Sequence, residues 1–264
     1  MLTLPFPTID PVLVELGPIA IRWYALAYIA GLLLGWWYLR RVVRRPGWRL
    51  GADGVDDLLF YATLGVVVGG RLGYVLFYNP AHFLAHPLEV FALWQGGMAF
   101  HGGLLGVVVA CLVTARQYRV SPLEIGDAAA IAAPIGILFG RLANFINGEL
   151  YGRVSDVPWA MVFPGAGPLP RHPSQLYEAA LEGVVLFAVM AWFAAGPYRP
   201  AQAGRIAGVF LVGYGTARFL VEFVRQYDPQ LGLLFGVITM GQLLSLPMIA
   251  VGLWLVARTR GAGE

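Results

Sequence analysis

The segment PLEIGDAAAIAAPIGILFGRLANFINGELYGR, residues 122–153, joins two incompatible environments. Its first part, near 122–140, is mostly apolar and close to the roughly 20 residues that a helix needs to cross a bilayer. Its second part, Gly140 to Arg153, crowds two arginines, two asparagines and a glutamate against that run. Such polarity beside hydrocarbon is expensive and is kept only where a partner or a function holds it. The fold must therefore bring polar groups to the edge or the interior of an apolar bundle.

Working outward, the 264-residue chain is 58% hydrophobic and 12% charged, with a mean hydropathy of +0.68. Soluble domains carry about 25% charged residues, so this chain lacks the polar surface to face water on all sides. The fold class is all-α, a polytopic membrane protein of seven transmembrane helices with a small outward-facing cap. The spans are expected near 19–39, 55–78, 97–115, 122–140, 174–195, 204–224 and 234–257. Residues 141–173, dense in Gly and Pro, form the cap, and 1–264 is a single membrane domain. No cleavable leader is expected, because residues 1–18 lack a basic start and contain Asp10 and Glu15.

All 18 basic residues are arginine, and their distribution sets an orientation. One set of loops holds Arg40, Arg41, Arg44, Arg45, Arg49, Arg116, Arg119, Arg199, Arg205, Arg258 and Arg260; the other holds only Arg141, Arg153, Arg171 and Arg225. The richer side should be cytoplasmic, which leaves the N-terminus and Gly140–Arg153 facing outward. Nucleic-acid binding is excluded, since no basic face remains once the loops have taken their share. Cys111 is the single cysteine and sits in an apolar run, so it reads as a core residue and forms no internal disulfide.

At a rise of 1.5 Å per residue, the intramembrane polar groups gather in the outer half of the membrane. Arg22, Tyr24 and Tyr28 open span 1; Arg71 lies about 24 Å up span 2; His101 is one turn into span 3. Arg141 ends span 4, Glu178 and Glu182 open span 5, and Arg218 lies about 21 Å up span 6. Asp56, Asp57, Glu124 and Asp127 stand at the inner edge and read as solvated helix starts. On span 6, Tyr214, Arg218, Glu222 and Arg225 follow spacings of four, four and three and so share one face. Asp57 to Gly70-Arg71-Leu72 repeats the spacing of Asp127 to Gly140-Arg141-Leu142, through duplication or chance.

An arginine fork suits a phosphate, so Arg71, Arg141 and Arg218 could bind a phospholipid headgroup; arginines snorkelling to the interface would look the same. His101, beside Gly102-Gly103, is either a packed core residue or a base for a nucleophile. The four histidines, His82, His86, His101 and His172, are expected on separate elements with no cysteine pair, so no metal set is expected. No Gly-x-Ser-x-Gly elbow or Ser–Lys pair is present.

Five stretches in order, IRWYALAY (21–28), FHGGLLG (100–106), GRLANFINGELYGR (140–153), RHPSQLYEA (171–179) and YGTARFLVEFVRQYD (214–228), resemble the bacterial prolipoprotein diacylglyceryl transferases. The resemblance implies a multi-pass enzyme of the bacterial plasma (inner) membrane with its N-terminus outside and C-terminus cytoplasmic. It would transfer the diacylglyceryl group of phosphatidylglycerol to the lipobox cysteine thiol at a prolipoprotein signal peptide, releasing glycerol 1-phosphate, without a cofactor. Its partners would be those two substrates and membrane lipids. Carried residue by residue, it implies His101, Arg141, Arg218, Glu222 and Tyr24 in catalysis. Arg141, Asn144, Glu149 and Gly152, with Arg71 and Arg225, would serve substrate binding. The family usually has Gly at Ala143 and Pro at Tyr227; neither change removes a chemical group. The rival readings are a lipid transporter or flippase with an outward anionic headgroup site, and a non-catalytic lipid-binding scaffold.

Overall fold

In the computed structural model, residues 4–7, 9–16, 19–227, 232–234 and 236–260 are described. Asp228, quoted above in the span 6 stretch, lies outside them. The described chain is mostly helical. Five helices among the described residues are long and apolar enough to cross a membrane: Gly51–Phe77, Phe100–Tyr118, Pro122–Ile146, Ser174–Ala195 and Met240–Thr259. Large apolar side chains stand exposed along them, including Phe60, Leu76, Leu105, Val109, Trp192 and Leu253. A surface of that kind is stable only against lipid or another apolar phase.

Two further helices occupy expected spans. Helix α1 (Trp23–Val42) mixes its aliphatic residues with Trp23, Tyr24, Tyr28, Trp36, Trp37 and Tyr38. Helix α8 (Arg205–Val221) has only 17 residues. Helix α1 matches them in length but is less apolar, and α8 is shorter. The described residues just ahead of α1 are strands rather than helix. Strand β1 (Val12–Leu16) pairs antiparallel with β2 (Ile19–Arg22), with Glu15 opposite Ala20. The β-branched runs VLVEL and IAIR favour pleated pairing, so the first helix starts four residues after the expected 19.

The expected single domain resolves into two compact units, each with its own packing. The first comprises Met1–Leu39, Asp127–Pro197 and Ala201–Glu264; the second comprises Arg40–Gly126 and Tyr198–Pro200.

In the second unit, α2 (Gly51–Phe77) and α4 (Phe100–Tyr118) approach through glycines. A Cβ added at Gly106 would fall 1.9 Å from the carbonyl oxygen of Gly65, and one at Gly102 2.2 Å from that of Gly69. Small residues at such spacing let backbones touch where no hydrophobic force separates helix from lipid. Between these helices run α3 (Pro80–Ala85) and two short 3-10 turns, Pro87–Phe91 and Leu93–Gln95.

In the first unit, α5 (Pro122–Ile146) continues beyond the expected end at 140, which leaves Arg141 and Asn144 inside a helix. Pro134 is accommodated within it. The next span is α6 (Ser174–Glu178), a π turn (Ala179–Val185) and α7 (Leu186–Ala195). Helix α8 packs on α9 (Met240–Arg260) through Gly208 and Gly252, each lacking a side chain where the other's carbonyl approaches.

Two of the acidic residues at the inner edge, Glu124 and Asp127, are buried rather than solvated. Glu124 is 1% exposed and accepts the backbone N–H groups of Arg49 (2.7 Å) and Leu50 (3.1 Å), at the start of α2. Asp127 is fully buried and accepts those of Gly204 (2.8 Å) and Ala207 (2.7 Å), at the start of α8. A helix start leaves four N–H groups without partners and carries partial positive charge. These carboxylates satisfy such groups from a distant part of the chain.

Candidate active site

Three helices of the first unit deliver six ionisable side chains to one cluster. Arg141 comes from α5. Glu178 ends α6, and Glu182 lies in the π turn. Arg218 comes from α8, Glu222 caps it, and Arg225 follows. Glu178 is the hub. Its Oε1 contacts Nη1 of Arg218 and lies 3.2 Å from Nη1 of Arg225, and its Oε2 lies 3.3 Å from Nε of Arg141. Glu222 contacts Arg218 and lies 3.9 Å from Arg225, while Glu182 lies 3.5 Å from Arg141. The arginine side chains are 16–17% exposed and those of Glu178 and Glu182 are 0%.

Three guanidiniums against three carboxylates cancel in formal charge, which is how this much charge can be buried. The donors are not all consumed. Nη1 of Arg141 has no partner among the described residues, while its Nε and Nη2 face Glu178 and Glu182. Oε1 of Glu182 is buried without a hydrogen bond. The cluster therefore keeps directed donor capacity beside a partly open face. The π turn carrying Glu182 widens the helix locally, an irregularity concentrated at functional sites.

One turn along α5 from Arg141, Nδ2 of Asn144 donates to Oε1 of Glu149 at 2.8 Å. The backbone is bent on either side of Glu149, by Gly148 before it and by Leu150, at φ +58°, after it. A bulky residue rarely adopts that conformation; here Ser174 Oγ donates to the Leu150 carbonyl and Gln175 Nε2 to that of Glu149. The Tyr24 hydroxyl is hydrogen-bonded to that of Tyr28 at 3.2 Å, and its phenol lies within electrostatic reach of Asn144 and Glu149.

Gly152 has a packing reason to be glycine. A Cβ there would lie 2.6 Å from the carbonyl oxygen of Val224 and 2.7 Å from the Cβ of His172. Its N–H donates to the His172 carbonyl, and the neighbouring Arg153 N–H donates to that of Val224, which ties the Gly140–Arg153 stretch to the end of α8. Arg153 adds a bond from Nε to the Arg225 carbonyl and lies over the ring of Tyr227, one of the two departures noted above. The other, Ala143, is fully buried.

The remaining two expected site residues lie in the second unit. All three nitrogens of Arg71 are engaged, by five hydrogen bonds to the carbonyls of Glu89, Val90, Ala92, Gly96 and Gly97. A guanidinium has five N–H donors, so none is left for a headgroup. This arginine latches the 80–97 loop, which replaces the substrate-binding reading. His101 is exposed in the first turn of α4 and lines an apolar groove of about 1050 Å³ with Leu72, Leu76, Leu105 and Val109.

The sequence pattern of prolipoprotein diacylglyceryl transferases matches residues 11–258. The chain belongs to that family. It is 60% identical to the phosphatidylglycerol–prolipoprotein diacylglyceryl transferase of Rhodospirillum rubrum, covering 98% of this chain and 96% of the relative. The likeness to the same-named protein of Methylocella silvestris is 59%, over 96% and 94% of the two chains. With that of Rhizobium meliloti it is 51%, over 98% and 95%.

Glu178 and Glu182 belong to the polar layer without an assigned role in the sequence reading, although two carboxylates four apart in an apolar run must find cations. Three arginines on other spans were the signal.

Proposed function

We propose that this chain is a phosphatidylglycerol–prolipoprotein diacylglyceryl transferase, acting at the outer face of the bacterial inner membrane on the lipobox cysteine of its protein substrate. The observation that carries the reading is the cluster of Arg141, Arg218 and Arg225 around Glu178, in a chain with full-length relatives of that name. His101 takes the proton from the substrate thiol. The thiolate attacks the glycerol carbon that bears the phosphate; a C–S bond forms, the C–O bond breaks, and glycerol 1-phosphate leaves with the electron pair. Arg141 and Arg218 hold the phosphodiester and meet the charge that grows on the departing oxygen. Glu178 and Glu222 fix the two guanidiniums, and Asn144, Glu149 and Tyr24 orient the headgroup. The remaining expectations belong to the same proposal: seven spans, an outward cap, the N-terminus outside and the C-terminus in the cytoplasm.

Each directed donor in such a step stabilises the transition state by about 3–4 kcal/mol, roughly 10²–10³-fold in rate. Lysine keeps the charge of Arg141 but loses the fork, so Arg141→Lys should lose most of the rate while the protein still inserts and binds lipid. The assay incubates purified protein with phosphatidylglycerol micelles and a lipobox peptide, and follows release of glycerol phosphate and the mass gained by the peptide. A near-normal rate for the variant would refute the phosphate clamp. If the unaltered protein released no glycerol phosphate, a transporter or a lipid-binding scaffold would replace the transferase.

A further inference from the structure

Outside the charged cluster, the second unit brings two histidines expected on separate elements together with a glutamate. His82 lies in α3 and His86 caps it, so the two rings share a face four residues apart, with centroids 5.0 Å apart and planes inclined by 27°. Pro87 cannot continue the helix, and the chain turns at once into the 3-10 segment Pro87–Phe91. That turn returns Glu89 beneath His82, with Oε2 2.7 Å from Nε2. One ligand atom from each of His82, His86 and Glu89 lies within 4.8 Å of the others.

We propose that His82, His86 and Glu89 form a binding site for a divalent transition metal of the zinc class, which staples α3 to the 3-10 turn behind it. Two imidazoles and a carboxylate are a donor set that favours zinc, nickel or copper over magnesium or calcium. Three protein ligands leave a fourth, water-filled position on a tetrahedral ion, at metal–ligand distances of about 2.0–2.2 Å. Drawing the three atoms in from 4.8 Å takes side-chain rotation, which the 40% exposure of His82 and 38% of Glu89 allow. The same exposure gives an ion access.

The backbone under these residues is anchored. Phe83, next to His82 in α3, is buried beneath Arg71 with the guanidinium carbon 5.1 Å from its ring centroid. The same guanidinium binds the carbonyls of Glu89 and Val90, so both ends of the chelate rest on one buried anchor. Glu89 is held below the usual carboxylate range, chiefly by its hydrogen bond with His82, so it presents an anion at neutral pH. His86 Nδ1 faces the His82 carbonyl at 3.3 Å, which leaves Nε2 as its ligand atom.

The alternative is a plain His82–Glu89 hydrogen bond with His86 as a bystander, and His86→Ala separates the two because it leaves that bond intact. The full chain in detergent is titrated with zinc chloride by calorimetry, alongside His86→Ala and His172→Asn. Hydrogen exchange over residues 80–97 is recorded with and without zinc. One equivalent bound, weakened at least tenfold by His86→Ala and unchanged by His172→Asn, with zinc-dependent slowing of exchange in the loop, supports the site. No saturable binding overturns it, as does binding that His86→Ala leaves intact. The readouts need no transferase activity, so they stand apart from the functional proposal.

Discussion

At the scale of single residues, Glu178 has the largest predicted effect. It meets three guanidiniums, whereas Glu182 meets only Arg141, at 3.5 Å. Glu178→Gln keeps the shape but leaves three buried cations against two carboxylates. Breaking a buried ion pair by removing one partner costs about 3–5 kcal/mol, so thermal unfolding in detergent should fall well below that of the parent and of Glu182→Gln. An equal or greater loss for Glu182→Gln would remove Glu178 as the hub. The arginines were legible in the sequence because arginine at depth is conspicuous. Their arrangement was not, because Glu178 acts across 40 and 47 residues of chain to Arg218 and Arg225. Glu124 and Asp127 escaped for the same reason: the N–H groups they satisfy lie 74 to 80 positions away.

At the scale of elements, hydropathy located the five long apolar helices because about 20 apolar residues leave few alternatives. It could not see the 19–22 strand ahead of α1, where β-branched residues are as apolar as a helix would need. The α2–α4 pair offers a direct test of glycine packing. Gly106→Ala puts a methyl 1.9 Å from the Gly65 carbonyl oxygen, with backbone rather than a flexible side chain in the way. The helices must separate, at a cost of about 1–3 kcal/mol. Hydrogen exchange should rise along α2 and α4; unchanged protection there would show that the contact is dispensable. The Gly140–Arg153 stretch and its neighbours offer a pH test. Trp159 donates to the Tyr177 hydroxyl at 2.6 Å, and that hydroxyl is also hydrogen-bonded to His172 Nδ1 at 3.1 Å. Burial pushes His172 below the ordinary histidine value. The unfolded chain then takes the proton first, so stability is unaffected above about pH 6.5 and declines as the pH falls below it. Exchange in residues 152–173 should quicken on acidification, and His172→Gln should flatten that response. A response unchanged by His172→Gln would assign it elsewhere.

At the scale of the whole molecule, orientation rests on arginine asymmetry alone, eleven residues in one set of loops against four in the other. Short cytoplasmic loops retain arginine because moving a cation across the membrane during insertion is unfavourable. Two exposed positions, Arg44 and Asp156, report on the two sides. Cys111 is the single native thiol, so Cys111→Ala gives a background without one. In that background, Asp156→Cys should react with a membrane-impermeant maleimide on intact spheroplasts, whereas Arg44→Cys should react only after the membrane is opened. The reverse pattern would put the arginine cluster in the cytoplasmic half, where a phospholipid of the outer leaflet could not reach it. Labelling of both from one side would break the seven-span count instead, because an odd number of crossings between them requires opposite faces. The segments on which that parity depends are the three helices between the two positions, α2, α4 and α5.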